Sequence, residues 1–224
     1  ADNSPGVVAV LVEPITGEGG IRIPDEDYLP RLRQICDRQG WLLMLDEIQT
    51  GMGRTGRWFA CQHSGVAPDV MTLAKGLGNG VPIGACLARG EAAEIFSPGN
   101  HGSTFGGNPL STSAALAVIE TMEKGELVAA AERLGRRMKQ GFDQRLQGLA
   151  GVVSIRSAGL MLGIELDRPC AALMQQALDR KILINVTAER VVRLLPPLIL
   201  KDEQADEIVE LTGSLIETFL DEKQ

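Results

Sequence analysis

Val7-Val8-Ala9-Val10-Leu11-Val12, ending at Glu13-Pro14, is a continuous apolar run, mostly β-branched, with no polar alternation. Such a run is expected of a strand buried on both faces, and strands of that kind belong to parallel sheets covered by helices. Working outward, Pro24-Asp25-Glu26-Asp27 offers a cap and an acidic first turn, Leu29, Leu32, Ile35 and Cys36 recur at helical spacing, and Gly40 stands where a helix stops. Trp41 to Leu45 then reads as a second buried strand running into Asp46-Glu47. Strand, helix and strand in this order make a β-α-β unit with a right-handed connection.

Short apolar runs at 70–74 and 83–88 read as further strands, and residues 110–123 as a helix. A long amphipathic helix follows, with Leu127, Ala131, Leu134, Met138, Phe142 and Leu146 on one face. Beyond it the pattern changes: 152–166 alternate like a strand pair, 170–180 are helical, 182–186 and 191–195 are short strands, and 202–222 form a last amphipathic helix. A boundary near 122–126 divides the chain into residues 1–123, part of a large domain with a mostly parallel sheet, and residues 124–224, a small α/β domain.

The 224 residues are 44% hydrophobic and 23% charged, a composition that excludes collagen-like, disordered and disulfide-scaffold classes. With 22 basic against 29 acidic residues the net charge is −7, which argues against a nucleic acid as main partner. The four cysteines form no CxxC pair, and two histidines are too few to complete a zinc site, so neither a metal nor a disulfide framework is expected. Their mostly apolar neighbours suggest buried free thiols in a reducing, cytoplasmic setting. No apolar run approaches the ~20 residues of a membrane span. The chain opens Ala1-Asp2-Asn3-Ser4-Pro5-Gly6, without an initiator Met or a leader pattern, and is expected to be a piece of a longer protein.

Two glycine-rich stretches invite a phosphate reading. Gly51-Met52-Gly53-Arg54-Thr55-Gly56 has the letters GxGxxG, but a dinucleotide fingerprint needs its glycines to open a helix directly after the strand. Here Asp46 to Thr50 intervene and no packing helix follows, so nicotinamide binding is set aside. Asp46 is more telling, because it ends a buried strand where ligands of open α/β sheets bind. Taken alone it reads as well as a helix cap or a structural ion pair. Lys75, which ends Val70-Met71-Thr72-Leu73-Ala74, reads alone as a solvated rim charge. Together, a strand-end aspartate and a strand-end lysine amid glycine-rich loops suit pyridoxal phosphate, whose aldehyde a lysine holds as a Schiff base and whose pyridine nitrogen a carboxylate keeps protonated.

Five segments carry a family resemblance: Glu13-Pro14-Ile15-Thr16-Gly17-Glu18-Gly19-Gly20, Asp46 to Gly56, Thr72-Leu73-Ala74-Lys75-Gly76-Leu77, His101 to Leu110, and Val191-Val192-Arg193-Leu194-Leu195-Pro196-Pro197-Leu198. In order and spacing they resemble class III pyridoxal-phosphate aminotransferases of the ornithine and acetylornithine type. The resemblance implies a fold-type I α/β transferase, here its C-terminal portion. It makes Lys75 the Schiff-base lysine and Asp46 the partner of the ring nitrogen, with Ile48 on one ring face and Gln49 near the ring hydroxyl. Thr104 would reach the cofactor phosphate of a neighbouring subunit, which implies a homodimer, and Ser103 is grouped with the substrate-binding residues. Arg193 resembles the arginine that clamps the carboxylate of glutamate or 2-oxoglutarate, and Glu18 the acid that pairs with it between half-reactions. The implied reaction moves the ω-amino group of N-acetylornithine to 2-oxoglutarate, with ornithine, succinylornithine or 4-aminobutyrate as other donors. The strand-turn-helix that cradles the phosphate, a ring-stacking aromatic and a second substrate arginine have no counterpart here, so this chain by itself is expected to bind the cofactor weakly or not at all and to be inactive alone; the alternative reading is a non-catalytic fragment that retains the dimer surface.

Overall fold

The computed structural model describes residues 6–222; of the opening hexapeptide only Gly6 falls among them. The residues form two compact units. The first takes the chain up to Pro14, Pro24–Met52 and Arg57–Glu126; the second takes Ile15–Ile23, Gly53–Gly56 and everything from Leu127 on. The segments 15–23 and 53–56 thus lie inside the stretch assigned on sequence to the large domain, yet they pack with the C-terminal unit.

In the first unit β1 (Ala9–Val12), β2 (Leu42–Asp46), β3 (Val70–Leu73) and β4 (Ala85–Ala88) form one sheet in that order. β1, β2 and β3 are parallel, and β4 returns antiparallel to β3. Helix α1 (Tyr28–Gln39) makes the crossover and stops at Gly40, whose φ of 67° provides the left-handed turn the sequence suggested. The acidic residues before it are not in its first turn, and Asp27, at the N-cap, makes no capping hydrogen bond with its side chain. A second departure concerns β1. It is not buried on both faces: it is an edge strand, and Val8 and Leu11 are 73% and 61% exposed. Leu43 and Leu45 of the central β2, in contrast, are fully buried. Helix α2 (Pro109–Lys124) is capped by Asn108, whose side chain accepts from the Ser111 N–H at 3.0 Å.

The second unit pairs β5 (Val152–Ala158), β6 (Met161–Leu166), β8 (Val191–Leu194) and β7 (Asn185–Thr187) in that spatial order, antiparallel throughout. Leu162, Ile164, Leu166, Val192 and Leu194 point to one face, against Leu134, Met138, Phe142 and Leu146 of α3 (Leu127–Leu146) and Leu215 and Ile216 of α5 (Asp202–Asp221). Helix α4 (Ala172–Asp179) adds Leu173 and Ala177 to this core. A Cβ on Gly135 of α3 would stand 2.0 Å from the Gly159 carbonyl oxygen, so the helix can approach the β5–β6 turn only through glycine.

Residues 53–56 put glycine to a related use. A Cβ on Gly159 would meet the Thr55 carbonyl carbon at 2.5 Å and one on Gly56 would meet Glu132 of α3, so the stretch is a close-packing seam of the second unit. Arg54 lies in that seam and donates to the carbonyls of Leu160 and Pro196, at 3.2 and 2.5 Å. Burial lowers its guanidinium to about 10. Asp69, the acid that would have read a ribose in a dinucleotide site, instead accepts from Arg33 at 2.7 Å and the Leu43 N–H at 2.8 Å.

No helix among the described residues is long and apolar enough to cross a membrane, and no cluster of three metal-ligating side chains occurs among them. All four cysteines are free, but the expectation that all are buried fails at Cys86, which is exposed on the edge strand β4. Burial and the neighbouring Glu47 carboxylate push the Cys61 thiol up to about 12, and burial pushes Cys170 to about 11. Cys86 is therefore expected to be the one thiol that reacts promptly with an aromatic disulfide reagent at pH 8, the remaining three reacting only after denaturation. A second fast equivalent in the native protein would contradict this.

Candidate active site

The ends of β2 and β3 in the first unit bring together the two residues singled out in the sequence. Asp46 is the last residue of β2 and pairs in register with Thr72 of the parallel β3; Lys75 lies just beyond the end of that strand. Both side chains therefore emerge at the carboxyl ends of adjacent parallel strands, where α/β sheets place ligands. Lys75 begins a short 3₁₀ turn, Lys75–Leu77, with φ of 43°, a left-handed value uncommon for a residue other than glycine. Strain of this kind is concentrated at functional sites. The Lys75 ammonium has no hydrogen-bond or ion-pair partner among the described residues and borders an open depression of about 430 Å³, shared with Asn79, Val81, Pro82 and Ile83. One Asp46 oxygen accepts from the Ile48 N–H at 2.9 Å. An amine beside open volume, with a carboxylate at the end of the adjacent strand, has the chemistry to hold a cofactor bearing an aldehyde and a basic ring nitrogen.

Glu47, which the sequence reading passed over, has the opposite environment. It is 1% exposed, and its carboxylate accepts from Thr50 Oγ1 at 2.5 Å and from the N–H groups of Ala60 and Cys61 at 2.9 and 2.8 Å. Its own backbone is fixed as well, the N–H donating to the Thr72 carbonyl and the carbonyl accepting from Gly51. Glu47 lies just past the end of β2, and its buried anchoring fixes the backbone directly beside Asp46, which is itself half-buried. Ile48 and Gln49 follow at half-buried positions on the same turn. Ser103 and Thr104 occupy an exposed loop before α2, in which Ser103 Oγ accepts from the Gly106 N–H at 3.0 Å.

The second unit holds the other two predicted residues. Arg193, on β8, is 11% exposed and its Nη1 reaches Glu18 Oε1 at 2.6 Å, while the Glu18 side chain is 70% exposed. Glu18 is carried by the loop 15–23, whose Ile21 is fully buried with Ile15 and Met161. Thr187 Oγ1 donates to the Glu18 carbonyl. Arg156 donates to the carbonyls of Gly20 and Ile21 at 2.9 and 3.0 Å and pairs with Glu165 at 2.6 Å. Hydrogen bonding from Arg156 holds the Glu165 carboxyl below its ordinary value, against the effect of burial, and the charges of Arg156, Arg190 and Arg22 add to the lowering.

With this geometry in view, the comparisons with known proteins agree. A family model described as aminotransferase class-III matches residues 1–216. The chain belongs to the class-III aminotransferase family. Among curated relatives it is 54% identical to an acetylornithine aminotransferase of Nitrosomonas europaea over all of its own length and 57% of the relative's. It is 55% identical to acetylornithine aminotransferase 1 of Bordetella bronchiseptica over 98% of this chain and 56% of that one. Among solved structures, the ornithine δ-aminotransferase of Plasmodium falciparum superposes with a TM-score of 0.92 at 33% identity, covering 98% of this chain and 57% of that one. The N-acetylornithine aminotransferase of Stenotrophomonas maltophilia gives 0.86 at 36% identity, covering 97% and 58%. The expected fold-type I α/β arrangement is met, and the chain spans about half the length of the curated relatives it matches.

Two outcomes follow from the local environments. Glu47→Ala strands the Thr50 hydroxyl and two N–H groups in a buried site and is expected to lower stability by about 3 kcal/mol or more, read from the urea midpoint. Glu165 has a lowered folded pKa, so the stability it contributes is present above the ordinary carboxylate range and lost as pH falls through the lowered value. Glu165→Gln should accordingly flatten the acid limb of a stability-against-pH profile, and an unchanged limb would contradict the assignment.

Proposed function

We propose that the full-length protein is a pyridoxal-phosphate-dependent aminotransferase that moves the ω-amino group of N-acetylornithine to 2-oxoglutarate. The observation that carries this reading is the unpartnered Lys75 ammonium beside an open depression, with Asp46 at the end of the adjacent strand. When bound, pyridoxal phosphate supplies an aldehyde to accept the amino group and a protonated ring that draws off electrons. Lys75 Nζ would hold the aldehyde carbon and, as the free amine, would act as the base that takes the proton from the substrate carbon bearing the nitrogen and returns it to the cofactor carbon. Asp46 keeps the proton on the ring nitrogen, Ile48 packs on a ring face and Gln49 meets the ring hydroxyl.

Arg193 receives the carboxylate of 2-oxoglutarate or glutamate through the planar two-point contact a guanidinium offers. Glu18 occupies Arg193 while the amine donor is bound, in keeping with the ion pair at 2.6 Å. Thr104 completes the phosphate site of a second copy of the chain and Ser103 the substrate contacts, so the working form is a homodimer. The free cysteines fit a reducing, cytoplasmic location. Ornithine as donor is a second reading, supported by the likeness to ornithine aminotransferases.

In the full-length protein, borohydride reduction with pyridoxal phosphate should label Lys75, and initial rates should show ping-pong kinetics. Lys75→Ala should abolish the visible absorbance band and lower turnover by about 10²- to 10⁴-fold or more. A Lys75→Ala protein that kept both would sink the assignment, and a panel of ω-amines ranks the donors.

A further inference from the structure

Arg156 on β5, Gly163 on β6 and Arg193 on β8 are register partners in one row across the second sheet. Partners in antiparallel strands project to the same face, here the one opposite the Leu162, Ile164 and Val192 core. The middle position has no side chain, and a Cβ built on Gly163 would lie 2.8 Å from Ile21 Cβ. Ile21 therefore sits directly over the Gly163 backbone, between the two arginines. Arg193 holds the Glu18 carboxylate on one side, and Arg156 holds the carbonyls of Gly20 and Ile21 on the other.

The loop needs such a hold. Gly20 has φ of 103° and Ile21 φ of 50°, and a β-branched residue in the left-handed region persists only where its surroundings impose it. Arg156 meets two consecutive carbonyls with Nε and Nη2, a fork that lysine cannot present. It is itself fixed by Ser154 Oγ at 2.5 Å and by Glu165, which also pairs with Arg190 at 2.9 Å. The Glu18 backbone is thereby held while its side chain stays at the exposed rim.

We propose that Arg156 is a positioning residue: through the Gly20 and Ile21 carbonyls it sets the Glu18 carboxylate against Arg193 and so governs which carboxylate can occupy that arginine. The inference rests on the reading of Arg193 as the binder of a substrate carboxylate. Releasing the loop uncovers Arg193, so a dicarboxylate gains access and discrimination between an ω-amine and glutamate as donors is lost.

The test is a double-mutant cycle in the full-length protein, with calorimetric binding of glutarate and donor kinetics as parallel readouts. Arg156→Met and Glu18→Gln are each expected to tighten glutarate binding by about tenfold, the size of an ordinary coupling between competing occupants of one site. The kcat/KM ratio of N-acetylornithine to glutamate should fall by a similar factor. The double variant should bind glutarate no more tightly than Glu18→Gln alone, because both changes remove one interaction. Arg156→Lys should behave as Arg156→Met. If Arg156→Met does not fold, Gly163→Ala, which displaces Ile21 without removing a charge, carries the same expectation. Wild-type glutarate affinity and donor ratio in the Arg156 or Gly163 variants, or full additivity with Glu18→Gln, would overturn the inference alone. A wild-type protein that neither binds glutarate nor transaminates any ω-amine would remove the functional reading, and the inference with it.

Discussion

A carboxylate placed where water cannot reach it must find donors inside the protein, and Glu47 meets that demand with the Thr50 hydroxyl and the N–H groups of Ala60 and Cys61. The donors come from both ends of the segment that follows β2, so satisfying one charge shapes that whole segment. Beside it, Asp46 has one oxygen oriented by the Ile48 N–H. Glu47 thus fixes the backbone from which Asp46 is presented. Lys75, just beyond the next strand, follows a strand whose parallel register the Glu47 and Thr72 backbones complete.

The second unit solves a different problem with the same economy of parts. Its sheet uses one face for a fully apolar core and leaves the other to carry charged side chains in a row. Loop 15–23 lies on that second face, far in sequence from the strands it rests on, and brings Glu18 to Arg193. The ion pair is lopsided, with the arginine sheltered and the carboxylate exposed.

Most elements were legible in the sequence, because periodicity and terminal glycines report local preference directly. The α3 stripe from Ala131 to Leu146 is buried as its spacing implied, and Gly40 ends α1 as a left-handed residue. What periodicity does not contain is position within a sheet. The apolar run at β1 reads as a central strand, yet it is an edge, and Cys86 is exposed because β4 is the other edge. The placement of Asp46 at the end of β2 and of Lys75 just beyond β3 was legible from the apolar runs that precede them. The part of Glu47 was not, since a DE pair gives no sign of which acid turns inward; only Thr50, three residues on, hinted at a local donor. Nor could sequence alone show that Gly53 to Gly56 pack against Gly159 and α3, because glycine needed for close approach and glycine needed for a phosphate are spelled alike.

The first sheet has a further consequence, for the behaviour of the chain in solution. β1 leaves a line of backbone donors and acceptors on its outer side, flanked by the exposed Val8 and Leu11, with no charged residue between Gly6 and Val12. Proteins usually blunt such an edge with lysine, proline or a bulge. Among the described residues, Pro14 lies just beyond the strand's end. Among the described residues, the edge of β1 is therefore a place open to non-native strand pairing, and a lysine at Val8 or Leu11 is expected to raise the solubility of the chain.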